Sequence, residues 1–446
     1  MAEVTTTVQE TEEKSLGQRI IRTLLQNSVT LLFLIVCIGG IYVSKLPVFF
    51  IANELLTRVT RNTFLVLALI IPVMAGMGLN FSIVVGAMAG QMAIVAVTNW
   101  GIGGLPGTFL AFALSAPLAL LFGKATGILL NKTKGQEMIA SMIVGYFSNG
   151  LYQLVFLFMV GPIIPIAVKG MVLSHGVGLR NTIDLAKNGD GAPGIKYALD
   201  TATFFGMPTK VPFFYVVLIG ALIAAVIFGL RIAKSKSHHL LASQKNKNII
   251  NFAISAGLAV FSIVVMFAPT LLSKQMRTLA RLKLPLLTAS LVLLLAGFNL
   301  IIVKTKLGQD FRAVGQSKHI AQVSGIKVNQ TRELAIMLST MFAGWGQIIF
   351  LQNLGILNTY GSHVQIALFA IAAILIGGAS VSKATVGQAF LGVILFHTLF
   401  IVSPMAGKNL FGDAQIGEFF RAFVAYGVIG LSLGLHAWKK MMMSKA

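Results

Sequence analysis

KTKLGQDFRAVGQSKHIAQVSGIKVNQTRE, residues 304–333, is the longest polar stretch in the C-terminal half of the chain and lies between two strongly apolar runs. It holds six Lys or Arg residues but only two acidic residues, Asp310 and Glu333. Because positively charged loops of membrane proteins stay on the cytoplasmic side, we predict a cytoplasmic loop here. The pattern indicates two short helices that meet at a bend, with Gly315 at the bend. Such a helical pair is suited to docking on a partner protein.

The composition excludes a soluble globular protein. The chain has 446 residues, of which 56% are hydrophobic and 11% are charged, whereas soluble domains carry about 25% charged residues. The net charge of +22 comes from Lys and Arg residues clustered between apolar runs. In that position they contact anionic lipid headgroups and fix the orientation of the chain. We therefore expect a multi-pass protein of the plasma membrane that contacts the lipid bilayer and binds no nucleic acid.

No site for catalysis or for a metal is predicted. The single cysteine, Cys37, lies in the first apolar run, and the adjacent His238 and His239 lie in a basic loop that we expect to face headgroups. The chain contains no Gly-x-x-x-x-Gly-Lys-Ser/Thr, His-Glu-x-x-His or Gly-x-Ser-x-Gly motif. We expect no cofactor, and if ATP drives a transport reaction, another polypeptide must bind it.

An apolar stretch of about 20 residues is long enough to cross the hydrocarbon layer. On that rule the chain holds up to twelve spans, near residues 28–44, 63–78, 83–99, 107–130, 138–160, 211–230, 249–272, 285–303, 334–354, 363–378, 385–404 and 419–438. The predicted fold class is an all-α integral membrane protein with about 10–12 transmembrane helices. Alternation from a cytoplasmic 304–333 loop places both tails, residues 1–27 and 439–446, in the cytoplasm. The transmembrane domain is then 28–438, with an outer loop at 161–210.

Two segments leave alternatives open. Residues 273–284 carry four Lys or Arg residues but fall outside by alternation. Either they form a basic amphipathic helix on the outer surface, or residues 249–272 do not cross fully. The long outer loop at 161–210 caps an entrance, contacts a delivery protein, or is a tolerated surface insertion.

The acidic residues bear on the energy source. All 13 lie in tails, in loops or at span ends. Proton-coupled carriers normally bury a carboxylate along their pathway, at a cost of about 3 kcal/mol at the bilayer centre. This pattern counts against proton coupling, while sodium coupling through backbone carbonyls stays open. An ion-coupled secondary transporter is therefore the alternative to an ATP-driven one.

Two glycine-rich interruptions divide apolar runs in the two halves of the chain. They are GMGLNFSIVVGAMAG at 76–90 and IGGASVSKATVGQAFLG at 376–392. Broken helices at corresponding places indicate a transport pathway, because freed backbone groups are tolerated only against protein or water. The alternative is close helix packing by the pairs Gly86 and Gly90, Gly123 and Gly127, and Gly430 and Gly434.

The polar loop resembles the cytoplasmic coupling loop of a family of ABC-importer inner-membrane permeases that serve branched-chain amino acids, ribose-type sugars and nucleosides. The matching residues are Thr305, Gly308, Arg312, Ala313, Val314, Gly315, Ala321, Gly325 and Ile326. The interruptions are similar to family motifs through Gly78, Leu79, Asn80, Ser82, Val84 and Gly86, and through Ile371, Ala372, Ala373, Gly377, Gly378 and Ser380. The similarity runs from about 60 to 160 and from 285 to 438, and residues 161–284 look specific to this chain. Asn80 stands near the position of the usual acid, and Ser382-Lys383-Ala384 replaces a common glycine-rich turn.

The resemblance implies a permease subunit with three kinds of protein partner. These are cytoplasmic ATP-binding subunits, a second permease copy or homologue, and an extracytoplasmic solute-binding protein. We expect Asp310 and Arg312 to contact the ATPase, and Gly308, Gly315 and Gly325 to supply the bends.

Polar and aromatic residues within the spans are candidates for the substrate pathway. They are Asn80, Ser82, Gln91, Tyr146, Asn149, Gln153, Trp345, Gln347, Asn353 and Ser380, and the spans also carry Tyr152, Asn299, Gln352 and His397. Amides beside aromatic rings suit a neutral, hydroxyl-rich solute with a ring. Because residues 135–150 most resemble nucleoside-type members, a nucleoside or sugar is the predicted substrate, with branched-chain amino acids or a vitamin-like solute as alternatives.

Overall fold

The computed structural model describes residues 28–133, 135–187, 193–204, 206–235 and 242–445. The predicted cytoplasmic tail at 1–27 and the pair His238 and His239 lie outside these residues. Helices make up most of the described chain, and three short two-stranded ladders lie in the loops between helices.

The helices, in chain order, are α1 Ser28–Ser44, α2 Val48–Leu67, α3 Ile70–Met74, α4 Ile83–Asn99, α5 Gly104–Lys132, α6 Glu137–Leu154, α7 Phe213–Ser235, α8 Ala242–Phe267, α9 Lys274–Arg277, α10 Leu286–Ile302, α11 Lys306–Gln316, α12 Lys318–Val323, α13 Val328–Leu354, α14 Ile366–Ile376, α15 Val386–Phe411 and α16 Ala414–Lys445. The strands are β1 Thr182–Asp184, β2 Thr203–Phe204, β3 Met207–Pro208, β4 Lys210–Pro212, β5 Lys283–Pro285 and β6 Ile356–Asn358. They pair antiparallel as β1 with β6, β2 with β3, and β4 with β5.

The predicted fold class, an all-α integral membrane protein, is confirmed. Seven helices of the described chain are long and apolar enough to cross a membrane, and the pair α10 and α11, bent by 72°, makes an eighth candidate. Three shorter apolar helices, α1, α4 and α14, accompany them. Length alone thus gives fewer spans than the ten to twelve predicted. Part of the reason is that the glycine-rich interruptions shorten α4 and α14, the helices beside them.

Helix α13 lies at the centre of the bundle, packed against α4 and α5. Glycines make these contacts close: a Cβ atom at Gly90 would lie 2.5 Å from the carbonyl oxygen of Gly344. On α5, a Cβ at Gly123 or Gly127 would lie 2.8 or 2.9 Å from a Cα atom of α13. Two of the predicted glycine pairs are therefore packing surfaces for one helix. A Cβ on the third pair, Gly430 and Gly434, would meet no described atom within 4 Å.

Both predicted interruptions are real helix breaks. Helix α3 ends at Met74 and α4 begins at Ile83, while α14 ends at Ile376 and α15 begins at Val386. Gly76, Gly78 and Gly378 have φ angles of 69°, 70° and 88°, in a region that side chains other than glycine rarely adopt. The two breaks also meet, because a Cβ at Gly78 would lie 3.7 Å from a methyl group of Val381.

Two of the ladders, β1 with β6 and β4 with β5, join segments that are far apart in the sequence. Strand β5 ends the basic segment 273–284 and pairs with β4, which leads directly into α7. Since α8 has a 22-residue stretch apolar enough to cross, from Asn246 to Phe267, the structure favours a full crossing over an incomplete one. The basic segment is not one amphipathic helix but two short turns, Lys274–Arg277 and Thr278–Arg281, and the Arg277 side chain donates to the carbonyl groups of Thr270 and Leu272.

The second span begins much earlier than predicted. The apolar window indicated residues 63–78, whereas α2 begins at Val48. Its first half carries Glu54 and Arg58, which form an ion pair of 3.5 Å one helical turn apart. Charged residues paired within a helix lower the hydropathy of the window without ending the helix.

The glycine contacts on α13 predict that adding one methyl group there is costly. Gly90→Ala should lower the free energy of unfolding by about 1–3 kcal/mol, because its Cβ meets the Gly344 backbone. Gly150→Ala on α6, where a Cβ meets no described atom within 4 Å, is the matched control. Detergent-titrated unfolding measures both, and equal stabilities would contradict this packing.

Candidate functional site

A buried histidine organises a cluster of amide side chains between α4, α6 and the loop before α14. The Nδ1 atom of His363 lies 2.9 Å from Oε1 of Gln91, and its Nε2 atom lies 2.8 Å from Oδ1 of Asn149. The ring of Tyr152 packs on the imidazole at 4.8 Å between centroids. His363 is fully buried, so these contacts hold its ring in one orientation.

His363 is neutral in this setting. It lies just before α14 and is fully buried with amide rather than carboxylate partners, which disfavours the charged imidazolium. A neutral imidazole donates through one nitrogen and accepts through the other. One of the two amides therefore accepts and the other donates, and Nε2 of Gln91, which has no partner among the described residues, is free to turn toward the ring. The cluster carries no formal charge.

A cavity of about 170 Å³ opens beside this cluster, between α6, α14 and α16. Phe81 of the first interruption lines one part of it, and Asn149 and Gln365 line another. The rings of Tyr146 and Tyr426 also face it. The cavity thus joins a helix break to the amide cluster and offers amides, phenols and apolar surface without a charged side chain.

A second cavity, of about 440 Å³, lies on the other side of Gln365. Asn62, Asn358 and Ser362 contribute polar groups to it, and His397 lines it from α15. The Nδ1 atom of His397 has no partner among the described residues. Gln365 faces both cavities and lies between them.

The outer loop folds back onto the bundle through a buried acid. Asp200 accepts hydrogen bonds from Oγ1 of Thr288 at 2.6 Å, Nδ2 of Asn353 at 2.6 Å and Nε2 of Gln352 at 3.3 Å. Arg61 donates to the other end of the Asn353 amide at 3.3 Å. One carboxylate therefore joins the outer loop to α10 and α13, and through Asn353 to α2.

The polar loop 304–333 forms two helices, as predicted, but its bend is elsewhere. Gly315 lies inside α11, and the break comes at Ser317, where φ is −156° and the side chain caps α12. A Cβ at Gly315 would collide with the carbonyl oxygen of Met74, and a Cβ at Gly76 would lie 2.7 Å from the Cα of Gly315. The prediction that Gly315 supplies the bend is wrong, because its missing side chain serves close contact with the first interruption.

The other residues predicted to contact an ATPase take varied positions. Gly308 is buried where α11 turns against the end of α10, and a Cβ there would collide with the carbonyl oxygen of Ile302. Gly325 ends the second helix with a φ of 82°. Arg312 is exposed and Asp310 half-buried, and neither forms an ion pair within the described residues.

An ion cluster fixes this loop to the bundle. Glu137, at the start of α6, accepts from Nζ of Lys318 at 2.8 Å and from a guanidinium nitrogen of Arg332 at 2.6 Å. Arg332 is buried, with 2% of its surface exposed. The cluster ties α12 and the start of α13 to α6, so the loop is held at a second point besides the Gly315 contact.

The structure brings only part of the predicted pathway set together. Gln91, Asn149, Gln153 and Gln347 gather around the 361–365 loop, where Gln153 bonds Asn149 at 3.4 Å and Gln347 bonds the Ser362 carbonyl at 3.4 Å. Tyr146 lines the smaller cavity. Asn80 and Ser82 bond each other at the first interruption, and Ser380 lies at the second.

Two predicted pathway residues lie apart from this cluster. Trp345 donates to the Phe112 carbonyl at 3.1 Å and lines a separate apolar cavity of about 520 Å³. Asn353 belongs to the Asp200 network.

Sequence reasoning missed three residues of the site. His363 and Gln365 were not among the candidates, although both lie at the start of the predicted span 363–378. A histidine and a glutamine that flank Val364, just before the helix begins at Ile366, are the available signal. Asp200 looked like an ordinary loop acid, and nothing near it in the sequence indicates burial.

A family profile described as branched-chain amino acid transport system / permease component matches residues 153–429. That match includes residues 161–284, which looked specific to this chain. No solved structure matches the chain.

Three curated relatives align with about a quarter of the chain. The autoinducer 2 import system permease protein LsrC of Klebsiella pneumoniae is 40% identical over 105 residues, which are 23% of this chain and 30% of the relative. LsrC of an Enterobacter species is 38% identical over 111 residues, 24% of this chain and 32% of the relative. The probable branched-chain amino acid transport permease protein LivH of Methanocaldococcus jannaschii is 35% identical over 108 residues, 24% and 33%. The chain thus spans about a third of the length of these relatives.

The Asp200 network predicts that one side chain holds the outer loop in place. Asp200→Ala leaves buried donors on α10 and α13 without their acceptor, which should ease local opening of residues 193–204 by about 2 kcal/mol. Hydrogen exchange of that segment should accelerate accordingly. Asp184→Ala, at an exposed acid that accepts from the Ala186 amide, is the control, and identical exchange in the two variants would contradict the assignment.

Proposed function

This chain belongs to the family of branched-chain amino acid transport system permease components, and from that premise we propose that it forms the translocation pathway of an ABC importer. The observation that carries the proposal is the contact between Gly315 on α11 and Gly76 in the first interruption. It joins the helix pair of the 304–333 loop directly to a broken span whose break lines the smaller cavity. The three relatives are described as permease proteins of import or transport systems, in agreement with this role.

Backbone contact makes the link stiff. Where two backbones touch with no side chain between them, one cannot move toward the other. Movement of α11 toward the bundle therefore displaces the first interruption, and the second interruption lies close to it, with the Val381 side chain near Gly78. We propose that closure of two ATP-bound partner subunits moves the 304–333 loop, which is then a coupling loop, and that this tilts the broken spans between inward-open and outward-open states.

The partner ATPase meets the exposed part of the coupling loop. Arg312 is exposed, and neither Arg312 nor Asp310 has an ion-pair partner among the described residues, so both are available to an incoming surface. ATP is bound and hydrolysed by these partner subunits, not by this chain. The coupling loop lies on the cytoplasmic side of the cell membrane, and both termini lie on that side as well.

The proposed substrate is a small uncharged polar solute, a nucleoside or a sugar. The smaller cavity presents Asn149 and Gln365 for hydrogen bonds and the rings of Tyr146 and Tyr426 for stacking. A zwitterionic amino acid, the kind of solute named for the LivH relative, needs charged or strongly polarised partners for both its groups. The side chains that line the cavity supply none, which favours an uncharged solute.

A second permease copy or homologue completes the pathway. The smaller cavity lies between α6, α14 and α16, and its lining residues Tyr146 and Tyr426 are 68% and 56% exposed. Amides and a helix break at membrane depth must be covered by protein or water rather than lipid. A soluble binding protein then delivers the solute to the side of the outer loop, 161–210.

The backbone contact predicts an uncoupled variant. Gly315→Val should lose substrate-stimulated ATP hydrolysis and uptake per molecule in the membrane, because its side chain displaces α11 from Gly76. Gly297→Val on α10, where a Cβ meets no described atom within 4 Å, is the control. The assay is uptake and ATPase activity of the complete importer in vesicles.

Two results of that assay would contradict the proposal. Normal uptake by Gly315→Val would remove the proposed coupling contact. Uptake that follows a sodium gradient and needs no ATPase subunit would identify a secondary transporter instead.

The amide cluster predicts a substrate-binding defect. Asn149→Leu keeps the side-chain size but removes a hydrogen-bonding group from the cavity, so KM for uptake should rise about tenfold. Ser148→Ala, next to it on α6 but not lining the cavity, should leave KM unchanged. Equal KM values for the two variants would move the substrate site elsewhere.

A further inference from the structure

A polar cavity of about 510 Å³ lies within the loop 304–333, where α13 begins, and away from the solute cavities described above. Lys318, Lys327 and Arg332 line it. Asn131, at the end of α5, lines the opposite wall. The ion pairs with Glu137 involve only Lys318 and Arg332. Part of the positive charge is therefore left to bind a ligand.

The charges around the cavity leave an excess of cations. Two carboxylates are near: Glu137 holds Lys318 and Arg332, and Glu333 accepts from Nδ2 of Asn131 at 3.0 Å. Three cations therefore face two carboxylates. Lys327 is exposed and forms no ion pair within the described residues, so the cavity attracts an anion.

Two buried polar atoms lack partners among the described residues, and both belong to residues that line the cavity. They are Nε of Arg332, a donor, and Oδ1 of Asn131, an acceptor. Arg332 is only 2% exposed, and an unpaired buried polar group costs about 1–3 kcal/mol. A ligand that carries both an acceptor and a donor satisfies both atoms together.

The N-terminal end of α13 adds further hydrogen-bond donors. No side chain caps this 27-residue helix at Lys327, and the first N–H groups of a helix have no acceptor within it. Val328, Asn329 and Gln330 bring these groups to the cavity wall. Helix N-termini with Arg and Lys side chains beside them are suited to phosphate.

We propose that this cavity binds a phosphate ester that carries a hydroxyl or amine next to its phosphate. The phosphate contacts the start of α13, Lys327 and Arg332, and the neighbouring donor bonds Oδ1 of Asn131. Two sources have this chemistry: the headgroup of an anionic lipid such as phosphatidylglycerol, and a soluble phosphate ester such as glycerol phosphate. The site is separate from the solute pathway, and its occupancy does not depend on which solute is transported.

The test compares two ligands on the purified full chain in neutral detergent. Native mass spectrometry measures retention of phosphatidylglycerol against phosphatidylcholine, and calorimetry measures binding of glycerol 1-phosphate. Lys327→Gln removes a cation from the cavity, and Gln330→Glu places a carboxylate in it. Lys306→Gln, an exposed cation of the same loop that does not line the cavity, is the control. Arg332 is left unchanged because its loss would strand Glu137.

We expect saturable binding of at least one ligand, weakened about tenfold by Lys327→Gln and by Gln330→Glu but not by Lys306→Gln. Selective lipid retention alone identifies a headgroup site, and binding of glycerol 1-phosphate alone identifies a soluble ligand. The proposal is overturned if neither ligand binds the unchanged chain saturably and selectively, or if all three variants bind equally. These outcomes do not depend on transport, so the importer proposal stands or fails separately.

Discussion

The close packing of glycines against α13 is the constraint on which the rest of the structure depends. Gly90 on α4 and Gly123 and Gly127 on α5 let three helices approach to backbone distance. In a bilayer, where apolar side chains gain nothing by leaving lipid, such close contact supplies much of the attraction between helices. Helix α13 then carries Arg332 at one end, Gln347 in the middle and Asn353 at the other end, so its position sets the ion cluster, the amide cluster and the Asp200 network.

At the two interruptions, glycines have a different role from the close packing of helices. A broken helix exposes backbone groups that need protein or water as partners, and here Phe81 and Val84, at and just after the first break, line a polar cavity. Gly315 of the polar loop contacts this break, and Gly78 in the break lies near Val381 of the second break. The proposed coupling does not depend on a long series of side-chain contacts. One backbone contact, between Gly315 and Gly76, joins the polar loop to the first break, and Gly78 lies close to the Val381 side chain of the second.

Much of the fold could be predicted from the sequence, because hydropathy and glycine spacing act locally. The apolar runs, the two interruptions and the helix pair in 304–333 are all visible in residue order. The role of Gly315 could not be predicted, since a glycine that bends a chain and one that admits a distant backbone look alike in sequence. Asp200 and His363 were hidden for a related reason: their burial depends on partners 88 to 272 residues away.

The central claim is that movement of the polar loop reaches the second interruption through Gly315 and Gly76. Pulsed electron paramagnetic resonance tests it most directly, with spin labels at the exposed Ser382 and Gln415, on a chain in which the buried Cys37 is replaced by serine. In complex with its ATPase, the distance between the labels should change when ATP is added, and this change should vanish when Gly315 is replaced by valine. The same ATP-dependent change with and without Gly315 would contradict the account.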